Sequence, residues 1–372
     1  MPSVSQLIVD LAAVEANYRE LQKRAAPAEV GAALKANAYG LGAAAIGKAL
    51  HQFGCRTFFV AHFEEALRLR AALPEAAAIA VLHGLAELEF AEALAYDITP
   101  VLNSIGAIED WAAFARAQNQ NLPAFVHLDT GLNRLGLPAD EQKKLADDPD
   151  ILKPLLLKGW MSHLACADEF ENPMTIEQRD RFTAALAALP PAPASLSNSP
   201  GIFWGRDFVF DLARPGRALY GINPTPHAPN PMRQTVELRA PILQIHDVDR
   251  GMAVGYGASH RVARKGRIAT LALGYADGYK RSLGNRGQVK IAGFLAPVVG
   301  RISMDLVTVD VSALPPDAVH AGTMATVIGP HRSVDDVALE AGTIGHDLLA
   351  GFGTRLERIY LRAESGIKTD VA

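Results

Sequence analysis

Along the first two-thirds of the chain, short apolar runs rich in β-branched and aromatic residues alternate with Ala-rich amphipathic stretches. The runs read as strands: GAAL just before Lys35, then 57–61, 79–83, 98–102, 124–128, 157–161, 194–197 and 217–221. Helical periodicity fills most gaps, for example at 43–53, 104–117 and 175–189. Eight strand–helix units in roughly 220 residues predict an α/β fold. They fit a closed (β/α)8 barrel better than an open doubly wound sheet.

The texture then changes. The segment 223–232, NPTPHAPNPM, carries four prolines and can continue neither a helix nor a central strand, so it reads as a linker. Beyond it, ELRAPILQIHDVD, GRIATLAL, GQVKIAGFLAPVVG, LVTVDVS and ATVIG predict a mostly β domain. Helical patterns return only at 334–341 and 344–350. The division predicted is a barrel over 1–226 and a β domain over 227–372. The first 21 residues read as a short strand and an amphipathic helix, and 364–372 as a loose tail.

Composition narrows the function classes. The chain has 372 residues, 49% hydrophobic and 20% charged, the range of a globular protein. A net charge of −4 supplies no basic field for nucleic acid. No apolar run approaches the roughly 18 residues of a membrane span. The start lacks a signal peptide's basic and apolar blocks, so the cytoplasm is the expected compartment. Two cysteines, Cys55 and Cys166, form no disulfide framework and no metal spacing, and no metal is expected.

In a barrel, chemistry collects at the C-terminal ends of the strands, and phosphate is often bound after strands seven and eight. Lys35 ends the first run. Alone, it reads first as a solvated loop lysine. Tyr39 lies close behind it as a phosphate donor, and Gly40 and Gly42 permit close backbone approach. A barrel lysine beside a phosphate site is what a pyridoxal-phosphate Schiff base requires. GLGAAA at 40–45 matches a dinucleotide-binding pattern, but its glycines come five residues after the strand rather than at its turn.

ALKANAYGLG resembles the cofactor-lysine signature of the alanine racemase family, which pairs a pyridoxal-phosphate barrel with a β domain. The resemblance runs from Lys35 to Tyr360 through DTGLNRLG, SHLACAD, SNSPG, ARPGRALYG, VGYG, GYADGYKR, GRISMD and RLERIY, in that order. It implies a set of roles. His163 lies against the cofactor ring, although a lone histidine at a strand end is commonly structural. Tyr39, Asn198, Ser199, Gly216, the backbone of Arg217, and His346 surround the phosphate. An N-cap would explain Asn198 and Ser199 as well.

Arg214 matches the arginine facing the ring nitrogen. A guanidinium does not release its proton, so the ring nitrogen stays unprotonated and is a weak electron sink. Proton exchange at Cα is then favoured over transamination. The competing reading is an ordinary surface ion pair. Lys35 and Tyr256 match the two opposed bases. Holding tyrosinate at pH 7 costs about 4 kcal/mol, which nearby cations or hydrogen bonds must offset; otherwise Tyr256 is an aromatic in a β turn. In the family this tyrosine reaches the partner's site, which implies a homodimer with shared sites. Arg134 and the backbone of Met304 match contacts to the carboxylate of a small amino-acid substrate. Tyr275, Asp277, Arg281 and Asp305 match the site entrance.

Two positions depart from the pattern. His127 stands where a carbamate-forming lysine is usual, and histidine forms no such stable carbamate. His346 stands where a tyrosine usually narrows the entrance. Both leave the reaction type intact and open the question of strict alanine preference. The alternatives are a serine-preferring or broader racemase, a non-catalytic pyridoxal-phosphate carrier, and a related decarboxylase. Tyr256 and the β domain count against the carrier, and Arg214 against the decarboxylase.

Overall fold

The structure is a computed structural model describing residues 4–362, so the tail at 364–372 lies outside the described residues. Seven parallel strands pair in sequence order: Ala32–Ala33, Thr57–Val60, Ala78–Val81, Ile98–Leu102, Leu122–His127, Leu155–Met161 and Ala194–Ser195. An eighth, Leu212–Ala213, pairs in parallel with Glu29–Val30. Backbone hydrogen bonds close the ring: Gly31 N–H donates to Ala213 O (2.9 Å), and Arg214 N–H donates to Ser197 O (2.9 Å). Inside it, Phe59, Ala80, Val101, Phe125, Met161 and Leu212 form a buried cluster, with the Phe59 and Phe125 rings 5.8 Å apart. The interior is therefore filled, and a ligand has room only at a strand end.

One strand lies elsewhere than its pattern suggested. Residues 217–221 were expected to extend; Arg217–Tyr220 instead forms a 3-10 turn. Pro215 offers no N–H to a neighbouring strand, and Leu219 N–H bonds back to Gly216 O. The strand thus ends at Ala213, which leaves Arg214, Gly216 and Arg217 at the barrel mouth. The helix Leu11–Ala25 packs on Ala43–Gln52 and on this turn.

The second domain is built on Val236–Val248, a 13-residue strand. It pairs antiparallel with Gly266–Leu271, with Met324–Ile328 and with Gln6–Asp10. Gln6–Asp10 also runs parallel to Glu357–Leu361. The chain's first strand is thus part of the second sheet, although the division at 226/227 counts it with the barrel.

Gly40 and Gly42 also serve this junction. A Cβ on Gly40 would lie 2.4 Å from the Leu349 carbonyl oxygen, and one on Gly42 would lie 1.9 Å from the Tyr360 hydroxyl. Their close approach is to the second domain, not to an anion.

Candidate active site

The barrel mouth holds a cavity of about 790 Å³. Lys35, Tyr39, Arg134, His163, Asn198, Ser199, Arg214, Gly216, Arg217 and His346 all line it, so ten of the twelve residues given a catalytic, cofactor or substrate role converge on one space. Tyr256 and Met304 do not. Tyr256 is 72% exposed and lines a separate hollow with Arg301 and Ser303, and Met304 is 53% exposed.

Lys35 owes its direction to an unusual turn. Ala36, Asn37, Ala38 and Tyr39 all take φ between 53° and 56°, a left-handed turn built without glycine. Each such residue costs about 1–2 kcal/mol, a large sum against a net stability of about 5–15 kcal/mol. Local bonds offset it. Ala38 N–H donates to Leu34 O (2.7 Å) and Gly40 N–H to Ala36 O (2.8 Å). Ala43 N–H donates to the Asn37 side-chain oxygen (2.8 Å), and Tyr39 packs on Tyr220 with ring centroids 4.8 Å apart. Burial, and next the Arg134 guanidinium, hold the Lys35 amine below the usual lysine range; Glu65 opposes them.

Arg214 is 7% exposed. It donates to the Ser162 carbonyl oxygen and to the Ser195 hydroxyl. Among the described residues no carboxylate pairs with it, so the surface ion pair is ruled out. Burial lowers its pKa to about 10, which still leaves it cationic at neutral pH. An unpaired buried cation costs several kcal/mol unless hydrogen bonds or a ligand compensate. Next to it, burial and then Arg214 push the His163 imidazole well below its usual range, so it is neutral.

The remaining groups form a cradle for an anion. Ser199 Oγ lies 3.0 Å from Gly216 N and 3.2 Å from Ala218 N and accepts from both. A Cβ on Gly216 would sit 2.3 Å from the Tyr39 hydroxyl, so only glycine lets that hydroxyl reach the turn. Arg217 Nε and His346 Nδ1 are buried without hydrogen-bond partners. The Asn198 side-chain oxygen accepts Gly201 N–H (3.1 Å), at the start of the 3-10 turn Gly201–Trp204. Buried unpaired nitrogens, a neutral imidazole and an amine at one cavity fit a phosphorylated aromatic aldehyde such as pyridoxal phosphate.

His127 lies at the end of its strand. Its Nδ1 is 2.8 Å from Asn103 Oδ1, and Asn103 Nδ2 donates to the Leu82 and Val101 carbonyls (3.0 Å each). Asn103 therefore presents an acceptor, which places the proton on His127 Nδ1 and leaves Nε2 an acceptor. Burial, then Arg214, lowers the His127 pKa to about 4. Arg355 bridges Asp277 (3.2 Å) and Asp305 (2.8 Å), tying GYADGYKR to GRISMD. Asn103 and Ser195 lie outside the quoted motifs, and Ser162 and Arg355 lie within SHLACAD and RLERIY without an assigned role, since each acts on a group distant along the chain.

Two family models match: one described as "Alanine racemase, N-terminal domain" over residues 9–224, and one as "Alanine racemase, C-terminal domain" over 235–360. An alanine racemase of Methylobacterium sp. (strain 4-46) is 47% identical, covering 97% of this chain and 98% of its own. One of Rickettsia akari is 45% identical, covering 96% and 99%. Among solved structures, alanine racemase from Bartonella henselae with covalently bound pyridoxal phosphate superimposes with TM-score 0.93 at 42% identity, covering 97% of this chain and all of that one. Alanine racemase from Streptomyces lavendulae gives 0.91 at 32% identity, covering 98% of each.

Proposed function

The chain belongs to the alanine racemase family, and on that premise we propose that it interconverts L- and D-alanine on pyridoxal 5'-phosphate held by Lys35. The observation that carries this reading is the buried Arg214 with no acid partner, in one cavity with the lowered amine of Lys35. When bound, the cofactor's ring delocalises the electron pair left as the α-proton departs.

This chain's residues do the rest. Tyr39, Ser199, His346 and the backbone at Gly216 and Arg217 hold the phosphate, with Asn198 shaping the turn beneath it. Arg214, a permanent cation, keeps the ring nitrogen unprotonated and so disfavours transamination. His163, neutral, would pack against the ring. Lys35 Nζ takes or returns the α-proton on one face of Cα, and Tyr256 Oη does so on the other. Arg134 and the Met304 backbone receive the substrate carboxylate.

Tyr256 lies in a hollow apart from Lys35 and is largely exposed, which supports a homodimer whose sites are completed by the partner's tyrosine. No helix among the described residues is long and apolar enough to cross a membrane. Two unpaired cysteines suit the cytoplasm.

The test is a racemisation assay on L-alanine, L-serine and basic amino acids, with Lys35→Ala as control. Wild type is expected to be yellow and most active on alanine, and Lys35→Ala colourless and inactive. A colourless wild type that takes up no pyridoxal phosphate contradicts the reading.

A further inference from the structure

Glu65 is the third residue of the helix Phe63–Arg70, where a glutamate ordinarily reaches back to cap the helix start. One oxygen does this: Oε2 accepts from His62 N–H (3.3 Å) and Ala61 N–H (2.9 Å). The cap needs nothing further. Yet Oε1 points the other way, to the turn after the preceding strand, and accepts from Ala36 N–H (2.6 Å) and Asn37 N–H (3.4 Å). These are the first two residues of the left-handed turn, immediately after Lys35. One carboxylate thus joins two neighbouring strand ends, 29 residues apart in sequence at its shortest contact.

The arrangement has a physical purpose. A strained turn persists only where its surroundings over-determine it. Residues 36 and 37 are exposed, so without Glu65 their N–H groups would bond only to water, which fixes no direction. Charged acceptors make hydrogen bonds roughly twice as strong as neutral ones. We propose that Glu65 is a positioning residue for the reaction: its carboxylate clamps the left-handed turn and so sets where the Lys35 amine and the Tyr39 hydroxyl point. This rests on the assignment of Lys35 as the cofactor lysine. Glu65 itself moves no proton.

Glu65→Gln is the informative change. It keeps the shape but replaces one acceptor oxygen by an NH2 group that faces two N–H donors, so one of the two loops loses its acceptor. Glu65→Asp keeps the charge and loses the reach. The neighbouring Glu64→Gln, on an exposed side chain, is the control.

Full-length apo-protein is mixed with pyridoxal phosphate and the appearance of the lysine adduct is followed by absorbance. Hydrogen exchange is read on the peptide spanning residues 35–40. For both Glu65 variants the condensation rate is expected to fall, on the order of 100-fold, the scale of a misplacement of about 1 Å. Exchange should quicken in that peptide alone, and kcat per loaded site should fall while KM for L-alanine holds within about threefold. Glu64→Gln should match wild type. Two results overturn the proposal. One is condensation and kcat per loaded site equal to wild type, which leaves Glu65 an ordinary cap. The other is loss of melting temperature with exchange quickened across the barrel, which makes its role global. Failure of the Lys35 assignment looks different, because wild type itself would then form no adduct.

Discussion

The Tyr39 hydroxyl occupies the space that a side chain on residue 216 would fill, 2.3 Å from the ideal Cβ of Gly216. The backbone there is not left-handed, with φ at −123°. Gly216→Ala should displace the Tyr39 hydroxyl and weaken pyridoxal-phosphate binding at least about tenfold, or about 1.4 kcal/mol. Adding Tyr39→Phe should recover part of that loss. Titration of apo-protein with the cofactor measures both, and an unchanged affinity in Gly216→Ala would remove Tyr39 from the phosphate site.

Lys35 and Tyr256 line different hollows of one chain. If each site takes its tyrosine from the partner, Lys35→Ala and Tyr256→Phe subunits should complement. Half the dimers in an equilibrated equal mixture are hybrids, and each hybrid has one intact site. Activity should therefore return to about a quarter of wild type. A mixture as inactive as its parents would place both bases in one chain.

His127 titrates with a definite sign. Its folded pKa, about 4, lies below the reference value of 6.5, because burial, then Arg214, disfavours its cation. The unfolded chain takes the proton first as pH falls. Stability is therefore complete above pH 6.5 and is lost as pH falls through 4, by about 3 kcal/mol in full. His163 acts in the same direction. Melting of the apo-protein at pH 7.5 and pH 5 should show a smaller drop for His127→Asn than for wild type. Equal drops would mean that His127 is not held neutral.

His346 lines the cavity and has a buried, unpartnered Nδ1, at a position where the family carries the larger tyrosine. His346→Tyr should narrow the mouth. The expected result is a greater fall in kcat/KM for L-serine than for L-alanine, by about 10-fold, the scale of one small group in a tight pocket. Parallel changes for both substrates would show that this position does not select.

Much of this was legible along the chain. The alternation of apolar runs and amphipathic stretches set the barrel, since period 2 and period 3.6 are local properties. Where the pattern erred, at 217–221, a buried apolar run could serve either state, and Pro215 with Gly216 tipped it to a turn. The ordered motifs pointed to the cavity residues through the resemblance they carry together, since each residue alone has an ordinary structural reading.

What no local pattern contains is the identity of a distant partner. Gly40 and Gly42 looked like phosphate-loop glycines until Leu349 and Tyr360 proved to be what presses on them. Arg214 is significant because no acid meets it, and that depends on Ser162 and Ser195, 52 and 19 residues away. Asn103 fixes the His127 tautomer across 24 residues. The sequence by itself determined most of the elements and which candidate groups, Lys35 among them, stand at the strand ends. Only the tertiary structure decided which charges stay unpaired, which tautomer is held and which turn is strained, because these depend on groups that folding alone brings within hydrogen-bond range.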